Sequence, residues 1–570
     1  MGSEQKNMLD NSRRRFLTWF GGTGITSLVF PSILWEKVQD ENNHRVTLDM
    51  IIEASRLAGL EFTREEQEAM VEGVNKSLTT IDEIRDFHID NSIPSPLYFN
   101  PLVSGVNVDT NKKPFRPTVP SGIRRPNDLE KVAFWPLTHL AKLIETRQVS
   151  AIELTKMYLN RLQRYNTTLN CVVTLTTKRA IKQAKLVDED LSKGHYRGLL
   201  HGIPWGAKDI ISAQGYKTTW GAAPFKEQKF DYDATVVERL DQAGAVLIAK
   251  LTTGELAFGD KWFGGRTNNP WKPKQGSSGS SAGSAAATAA GLVGFAIGTD
   301  TGGSILHPSI RCGVVGLRPT FGRVSRFGVM AAGFSLDKIG PMCRTAEDCA
   351  IVLYSIAGPD GKDFAVPDAI PFNWDSGIDV NSLKVGYFEK EFSEGSDNEE
   401  NLNNELMLQN IKQFGIKPKP VFLPQNKLTY FIEFVERAAG FDEFVRTHQD
   451  KELNAYFDEK WDPKIALRVS HLVPAVEYLQ ANRIRMLLME DVANVMNDFD
   501  VVIAPYQSIN PLTSITGHPV ATLPTGFRKD GTPTGITLMG GLYKESELLL
   551  IGKIFQDYTD FDSRQPDLFK

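Results

Sequence analysis

Short apolar runs and amphipathic stretches alternate along residues 137–570 of the chain. The runs at 245–249, 385–387 and 501–504 have the length of buried strands, whereas 235–243 is patterned as a helix. Strands that alternate with helices are typical of an α/β fold whose central sheet is covered by helices on both faces. The pattern therefore predicts an α/β main domain.

A separate helical stretch precedes this domain. Thr63 and Glu66 have the spacing of a capping box, and apolar residues recur after them at helical spacing. The following residues 91–128 are rich in proline and asparagine, which is typical of a crossing segment between elements. We therefore expect a helical N-terminal arm and crossing segment over residues 41–130, ahead of a main domain over residues 131–570.

The beginning of the chain carries a basic motif. Residues 12–17 read SRRRFL, and a glycine-containing apolar run extends over residues 16–35. This combination resembles a twin-arginine export signal, which we assign to residues 1–40. It predicts an exported protein, periplasmic or extracellular, that engages the twin-arginine export machinery. Because no clear cleavage site follows the run, retention at the membrane by an uncleaved anchor is the alternative.

Composition and charge argue against several classes of function. The chain is 41% hydrophobic and 23% charged, which is ordinary for a globular protein with a large core. Its net charge is −5 and no basic stripe is present, so electrostatics gives no support for a nucleic-acid partner. The four cysteines form no CxxC pair, and the histidines have no metal-ligand spacing. We therefore predict neither a disulfide scaffold nor a metal site, and expect the cysteines to be buried as small hydrophobes.

The most unusual stretch is rich in glycine, serine, alanine and threonine. Residues 275–308 read QGSSGSSAGSAAATAAGLVGFAIGTDTGGSILHP. A solvated linker of this composition would lack the apolar run at 295–297. Small residues let backbones approach closely, and residues 284–290 are compatible with a helix. The stretch therefore predicts buried loops around a short helix, with serines held inside.

Two serines and a lysine are candidates for nucleophilic chemistry. Ser304 follows two glycines whose amides could face a developing oxyanion, and Ser280 lies in the loop before the predicted helix. A serine nucleophile needs a base. Lys208 follows a glycine-containing, mostly apolar segment, and desolvation there would lower its pKa. The carboxylate of the adjacent Asp209 would oppose that shift, so we expect it to point elsewhere.

Together these motifs resemble the amidase signature family, whose Gly/Ser-rich core ends in an Asp-Thr-Gly-Gly-Ser turn like that at 300–304. Residues 267–271 (TNNPW) and 312–320 (CGVVGLRPT) resemble its flanking segments. The resemblance extends from about residue 137 to the end of the chain. It implies an α/β amidase-signature fold, with a central mixed β-sheet covered by helices on both faces. It also suggests that the helical region 399–496 forms a variable wall of the substrate pocket.

The resemblance also implies a site. It matches Ser304 to the nucleophile, Ser280 to a serine that follows a cis peptide bond, and Lys208 to the base of a Ser–cis-Ser–Lys triad. It implies no metal and no organic cofactor. Members often place an arginine two or three residues after the nucleophile; here Leu306 and His307 stand there, which argues against a substrate whose carboxylate would bind that arginine. The residues that match the backbone oxyanion hole are Thr301, Gly302, Gly303 and Ser304.

The function that we predict is an exported amidase. It hydrolyses a carboxylic amide C–N bond through an acyl-enzyme on Ser304, and esters or carbamates also lie within the family's chemistry. The expected partners are a small-molecule amide substrate, the export machinery and a second copy of the chain in a homodimer. No nucleic-acid partner is expected.

Three other functions compete with this hypothesis. A catalytically silent binding protein on the same fold is one, although all three triad positions are filled. An amidotransferase subunit that releases ammonia for a partner is another. Residues 55–62 faintly resemble the small C subunit of the bacterial amidotransferase that amidates misacylated tRNA. The predicted export argues against this function, because tRNA charging is cytoplasmic.

The third competitor is an α/β-hydrolase. Residues 279–283 match G-x-S-x-G, which would make Ser281 the nucleophile. That motif needs a hydrophobic strand directly before it. Residues 271–276 read WKPKQG and cannot form such a strand, so the amidase hypothesis is favoured.

Overall fold

The computed structural model describes residues 45–86, 90–91, 93, 97–368, 370–389, 392, 398–424, 428–453 and 462–570. The chain divides into two compact units, residues 1–89 and residues 90–570. The predicted export motif at residues 12–17 lies outside the described residues. The predicted domain boundaries at residues 40 and 130 stay predictions.

The described residues of the first unit form two helices, α1 (Leu48–Leu57) and α2 (Arg64–Arg85). The predicted capping box is present at the start of α2. The Thr63 amide donates to the Glu66 carboxylate at 2.7 Å, and the Glu66 amide donates to the Thr63 hydroxyl at 3.3 Å. These two bonds satisfy amides that a helix N-terminus otherwise leaves without acceptors, which explains why the helix begins here.

The second unit is built on an 11-stranded mixed sheet. In chain order the strands among the described residues of this unit are β1 (Val172–Leu175), β2 (Pro204–Lys208), β3 (Val246–Leu251), β4 (Lys261–Trp262), β5 (Gly265–Arg266), β6 (Asn268–Asn269), β7 (Lys272–Gly276), β8 (Phe295–Asp300), β9 (Val315–Arg318), β10 (Lys338–Cys343), β11 (Val385–Tyr387), β12 (Lys419–Pro420), β13 (Val501–Ala504), β14 (Val520–Phe527) and β15 (Pro533–Gly540). The strand order in the sheet is β1-β3-β2-β8-β10-β9-β14-β15-β13-β11-β12, and strands β4–β7 form two short ribbons outside it. Pairs β2–β3, β2–β8, β11–β13 and β11–β12 are parallel, and the other pairs of the sheet are antiparallel.

Helices flank the sheet, as the alternating pattern predicts. In chain order the α-helices among the described residues of this unit are α3 (Leu137–Glu145), α4 (Ala151–Leu169), α5 (Thr177–Ser192), α6 (Thr235–Gln242), α7 (Ala282–Ala289), α8 (Leu306–Cys312), α9 (Ala346–Ile356), α10 (Asn398–Gln413), α11 (Thr429–Gly440), α12 (Asp442–Arg446), α13 (Pro463–Ser470), α14 (Ala475–Met496), α15 (Tyr506–Thr516) and α16 (Glu545–Tyr558). A second capping box precedes α4, in which the Ser150 hydroxyl accepts from the Glu153 amide.

The centre of the sheet is buried on both faces. Every residue of β2, β3 and β8 is buried, which explains why these strands read as continuous rather than alternating apolar runs. Helix α7 consists of alanine, glycine, serine and threonine and is buried throughout. Its small side chains allow it to pack closely on β2, β3, β8 and β10. The predicted α/β fold with a central mixed sheet is confirmed.

The predicted element positions agree closely with the structure. Strands β11 and β13 have the predicted bounds, and α7 begins two residues before the predicted stretch 284–290. All four cysteines are buried and free. Among the described residues, no helix combines the length and apolar character needed to cross a bilayer.

Candidate active site

Lys208 ends the buried strand β2, and its side chain is inaccessible to solvent. Its Nζ lies 2.8 Å from Ser280 Oγ, 2.8 Å from Thr299 Oγ1 and 3.3 Å from the Thr299 carbonyl oxygen. Burial disfavours the ammonium form and lowers the pKa of Lys208 to about 7, against the opposing charges of Asp300 and Asp337. Burial therefore brings the neutral, proton-accepting form of the amine within reach near neutral pH.

Asp209 points away from this amine, as expected. One of its carboxylate oxygens accepts a hydrogen bond from Lys250 Nζ at 2.8 Å, and both side chains are fully buried. The other oxygen accepts from the Thr219 amide at 2.9 Å. Successive side chains along extended backbone point in opposite directions, which separates Asp209 from Lys208 although they are neighbours in sequence. The carboxylate is therefore paired elsewhere.

Ser280 lies two positions before the first residue of α7. The peptide bond between Gly279 and Ser280 is cis, as the resemblance implies, and the Ser280 side chain is buried. The following amide, that of Ser281, donates to the Ser304 carbonyl oxygen at 3.1 Å. This bond fastens the Ser280 loop to the turn that carries Ser304. The structure thus brings the two predicted serines into one region.

Ser281 has a different role from its neighbour. Its hydroxyl donates to the Thr299 carbonyl at 3.0 Å and accepts from the Thr299 amide at 3.2 Å. The side chain is fully buried, and its hydroxyl is engaged in hydrogen bonds with the backbone of β8. A hydroxyl held in this way is not presented to a substrate, which argues against the α/β-hydrolase hypothesis.

The turn at 300–304 is shaped by a carboxylate. Asp300 accepts hydrogen bonds from the amides of Gly303 at 2.8 Å and Ile305 at 2.7 Å. Gly303 has a φ of +120°, and a Cβ there would clash with Tyr506 Oη, so only glycine fits. Because the Gly303 amide is engaged by Asp300, the predicted oxyanion donors that remain are the amides of Thr301, Gly302 and Ser304.

Asp300 is itself paired. Arg318 Nη1 donates to it at 3.1 Å, and both side chains are inaccessible to solvent. Burial alone would raise the pKa of Asp300, but the charges of Arg318 and Lys338 and the Ile305 amide outweigh this effect and hold it below its usual value. Asp300 therefore stays ionised and keeps the turn in shape.

A cavity of about 150 Å³ opens beside Ser304. A larger cavity of about 640 Å³ lies near the C-terminus, and none of the predicted catalytic residues lines it. Helix α11 supplies one wall of the smaller cavity, in agreement with the expected role of residues 399–496. The residues that line it are Ala257, Phe258, Gly259, Gly302, Ser304, Tyr430, Glu433 and Phe434.

Two features of this region were not predicted from the sequence. Thr299 accepts hydrogen bonds from the Lys208 amine. The sequence signal that could have identified it is its position next to Asp300, at the end of an apolar strand. Glu433 pairs with Arg437, whose Nη2 donates to it at 2.9 Å, and the Arg437 guanidinium lies 4.1 Å from the Phe258 ring centroid. No sequence signal distinguishes Glu433 from the other charged residues of the helical region.

Comparison with known proteins places the chain in a family. The family model described as Amidase matches residues 153–514. The glutamyl-tRNA(Gln) amidotransferase A subunit of Methylococcus capsulatus is 34% identical over 477 residues, which are 75% of this chain and 98% of that protein.

Solved structures give the same result. The native peptide amidase of Stenotrophomonas maltophilia superposes with a TM-score of 0.67 at 27% identity, over 75% of this chain and 98% of its own. A second structure comes from a vestigial protein complex that bears on the evolutionary origins of an s-triazine catabolic enzyme. It superposes with a TM-score of 0.69 at 25% identity, over 74% of this chain and 98% of its own. The chain therefore belongs to the Amidase family and is an amidase-signature enzyme that acts on amide C–N bonds.

Proposed function

We propose that this protein hydrolyses a carboxamide through an acyl-enzyme on Ser304. The observation that carries the proposal is the hydrogen bond between Lys208 Nζ and Ser280 Oγ, made in a fully buried setting that lowers the lysine pKa to about 7. A neutral amine can accept a proton, whereas a lysine at its ordinary pKa cannot do so at neutral pH. Ser304 lines the adjacent cavity, where a substrate carbonyl can approach it.

The proposed reaction uses this arrangement. Ser304 Oγ attacks the carbonyl carbon while its proton passes to Ser280, and the Ser280 proton passes to Lys208. The backbone amides around the turn stabilise the oxyanion. Lys208 then returns its proton through Ser280 to the leaving nitrogen, the C–N bond breaks, and ammonia or an amine departs. Water then gives a proton to Lys208 through Ser280 and bonds to the acyl carbon, the bond to Ser304 Oγ breaks, and Ser304 regains the proton as the acid leaves. These steps use protein groups and water, and we propose no cofactor.

A second candidate function is that of an amidotransferase component, in which ammonia from the hydrolysed amide passes to a partner protein. It is supported by the glutamyl-tRNA(Gln) amidotransferase relative, which this chain covers over 98% of its length. The comparisons favour this candidate over the free-standing exported amidase. The cavity favours the amidase, because its described lining residues include no cation that would pair with the free carboxylate of glutamine.

Export, a small-molecule substrate and a homodimer remain part of the proposal. The support for export is the arginine motif at residues 12–17. A protein outside the cytoplasm would act without a tRNA-dependent partner. The location of the protein therefore bears directly on the choice between the two candidates.

The test is an assay of the purified full chain against primary amides, including amino-acid amides, fatty amides, peptide amides and glutamine. We expect acid and ammonia to form in equal amounts without any added protein, and Ser304→Ala to remove both. Hydrolysis of glutamine that appears only together with a copurified partner protein would support the amidotransferase instead. A chain that turns over none of these amides and binds them unchanged would support the silent binding protein.

A further inference from the structure

One carboxylate oxygen at the cavity has no hydrogen-bond partner in the part of the chain that the structure describes. Glu433, on α11, is 6% exposed and lines the cavity together with Ser304. Its Oε1 accepts from Arg437 Nη2 at 2.9 Å, whereas its Oε2 has no hydrogen-bond partner among the described residues. A Cβ added to Gly302 would lie 2.7 Å from that Oε2. The unpaired oxygen therefore lies over Gly302, two positions before the proposed nucleophile.

An unpaired oxygen in such a place is costly. A buried acceptor without a donor loses the hydrogen bonds that water gave it, and native proteins leave few of them. Burial raises the pKa of Glu433, against the opposing charge of Arg437. Glycine at position 302 allows the oxygen to lie this close to the turn, because a Cβ on any other residue would be 2.7 Å from it. Glu433 Oε2 is therefore an acceptor that a donor on a bound ligand could satisfy.

We infer, on the basis of the proposed amide hydrolysis, that Glu433 determines specificity by accepting a hydrogen bond from an N–H group on the acyl part of the substrate. The substrate carbonyl must lie against Ser304 and the amides of the turn, so a donor that reaches an oxygen over Gly302 lies close to that carbonyl. An amino group on the α-carbon satisfies this requirement. The substrate class is that of α-amino-acid amides, including amidated peptides.

The rest of the cavity fits this class. Phe258 and Phe434 line it and stack with their centroids 5.9 Å apart, which offers an apolar surface to a side chain. The described lining residues include no cation, so a free α-carboxylate would find no partner, whereas an amidated one needs none. Arg437 is not among the residues that line the cavity, and its Nη1 and Nη2 donate to the Leu256 carbonyl and to Glu433.

The experiment compares two substrates that differ only in the α-amino group, phenylalaninamide and 3-phenylpropanamide. We expect kcat/KM of the full-length protein to be at least about 10-fold higher for phenylalaninamide, the scale of one hydrogen bond to a charged group. Glu433→Gln should lower this ratio towards one. The control is Glu436→Gln on the same helix: Glu436 is buried but already accepts from the Ser335 amide and hydroxyl, so the ratio should persist.

Each outcome has a defined meaning. Three results would overturn the role of Glu433 while amide hydrolysis itself stood. They are equal kcat/KM for the two amides in the wild type, a ratio that Glu433→Gln leaves unchanged, and faster turnover of glutamine than of phenylalaninamide. Turnover of other amides but of neither member of the pair would overturn it as well. If Glu433→Gln does not fold, the wild-type ratio alone decides. Failure of the proposed function is distinct, because then no amide in the panel is hydrolysed.

Discussion

Lys208 Nζ lies 2.8 Å from Ser280 Oγ, and Thr299 offers the same amine two further acceptors, at 2.8 and 3.3 Å. A neutral lysine has two N–H donors and one lone pair. The two donors can serve Thr299 Oγ1 and its carbonyl oxygen, which leaves the lone pair for the Ser280 proton. The geometry therefore suits a lysine that acts as a base, and burial supplies the lowered pKa that this role needs.

The first prediction concerns pH. Only the deprotonated amine of Lys208 can accept the proton from Ser280, so kcat/KM should be low in acid, rise through the lysine pKa of about 7 and level off above it. Initial rates with a neutral amide substrate, measured across the range in which the protein stays folded, give the profile. A rise centred near the ordinary lysine value, or a profile without an acidic limb, would contradict the assignment.

Substitutions at Lys208 form the second prediction. Lys208→Ala removes the base, and Lys208→Arg replaces it with a group that stays charged. Both should lower kcat/KM by at least about 10²-fold, the scale of a positioned proton acceptor. The matched control is Lys272→Arg at an exposed ion pair, which should leave the rate unchanged. Wild-type activity in Lys208→Arg would exclude a neutral lysine as the base.

Neighbouring serines supply the third prediction. Ser280→Ala should fold normally and lose at least about 10²-fold in rate, because the proton path to Lys208 is broken. Ser281→Ala loses only hydrogen bonds to the backbone of Thr299, so it should lower stability by about 1 kcal/mol and keep most of the activity. Thermal denaturation and initial rates separate the two effects. A reversed pattern would favour Ser281 as the reactive serine.

The buried pair of Arg318 and Asp300 gives the fourth prediction. Arg318→Met leaves the Asp300 carboxylate buried without its principal partner, which should cost about 3–5 kcal/mol in the free energy of unfolding. Lys272→Met breaks a pair with Asp530 that is about two-fifths exposed on each side, and should change stability by no more than about 1 kcal/mol. Denaturant titration measures both, and equal effects would show that Arg318 does not stabilise the turn.

Export can be tested independently of catalysis. Replacement of Arg13 and Arg14 by lysine should keep the protein in the cytoplasm if residues 12–17 direct it to the twin-arginine machinery. Cell fractionation of wild type and variant, with activity and immunodetection as readouts, gives the result. A cytoplasmic wild type would remove the objection to the amidotransferase candidate.

The sequence predicts the fold well because the buried strands carry their signal locally. Strands β11 and β13 read as apolar runs with the bounds that the structure has, and Asp209 points away from Lys208 as electrostatics requires. Its partner Lys250 was not predicted, since the two are 41 residues apart and only the pairing of β2 with β3 brings them together. Glu433 was missed for a similar reason, because burial against Gly302 is a tertiary property.

The most direct test of the central claim is to locate the acylated or phosphonylated serine. The purified protein is treated with a fluorophosphonate probe, digested, and examined by peptide mass spectrometry. The account predicts a single adduct on Ser304, absent in Ser304→Ala and formed much more slowly in Lys208→Arg. An adduct on Ser281, or undiminished labelling of Ser304→Ala, would contradict it.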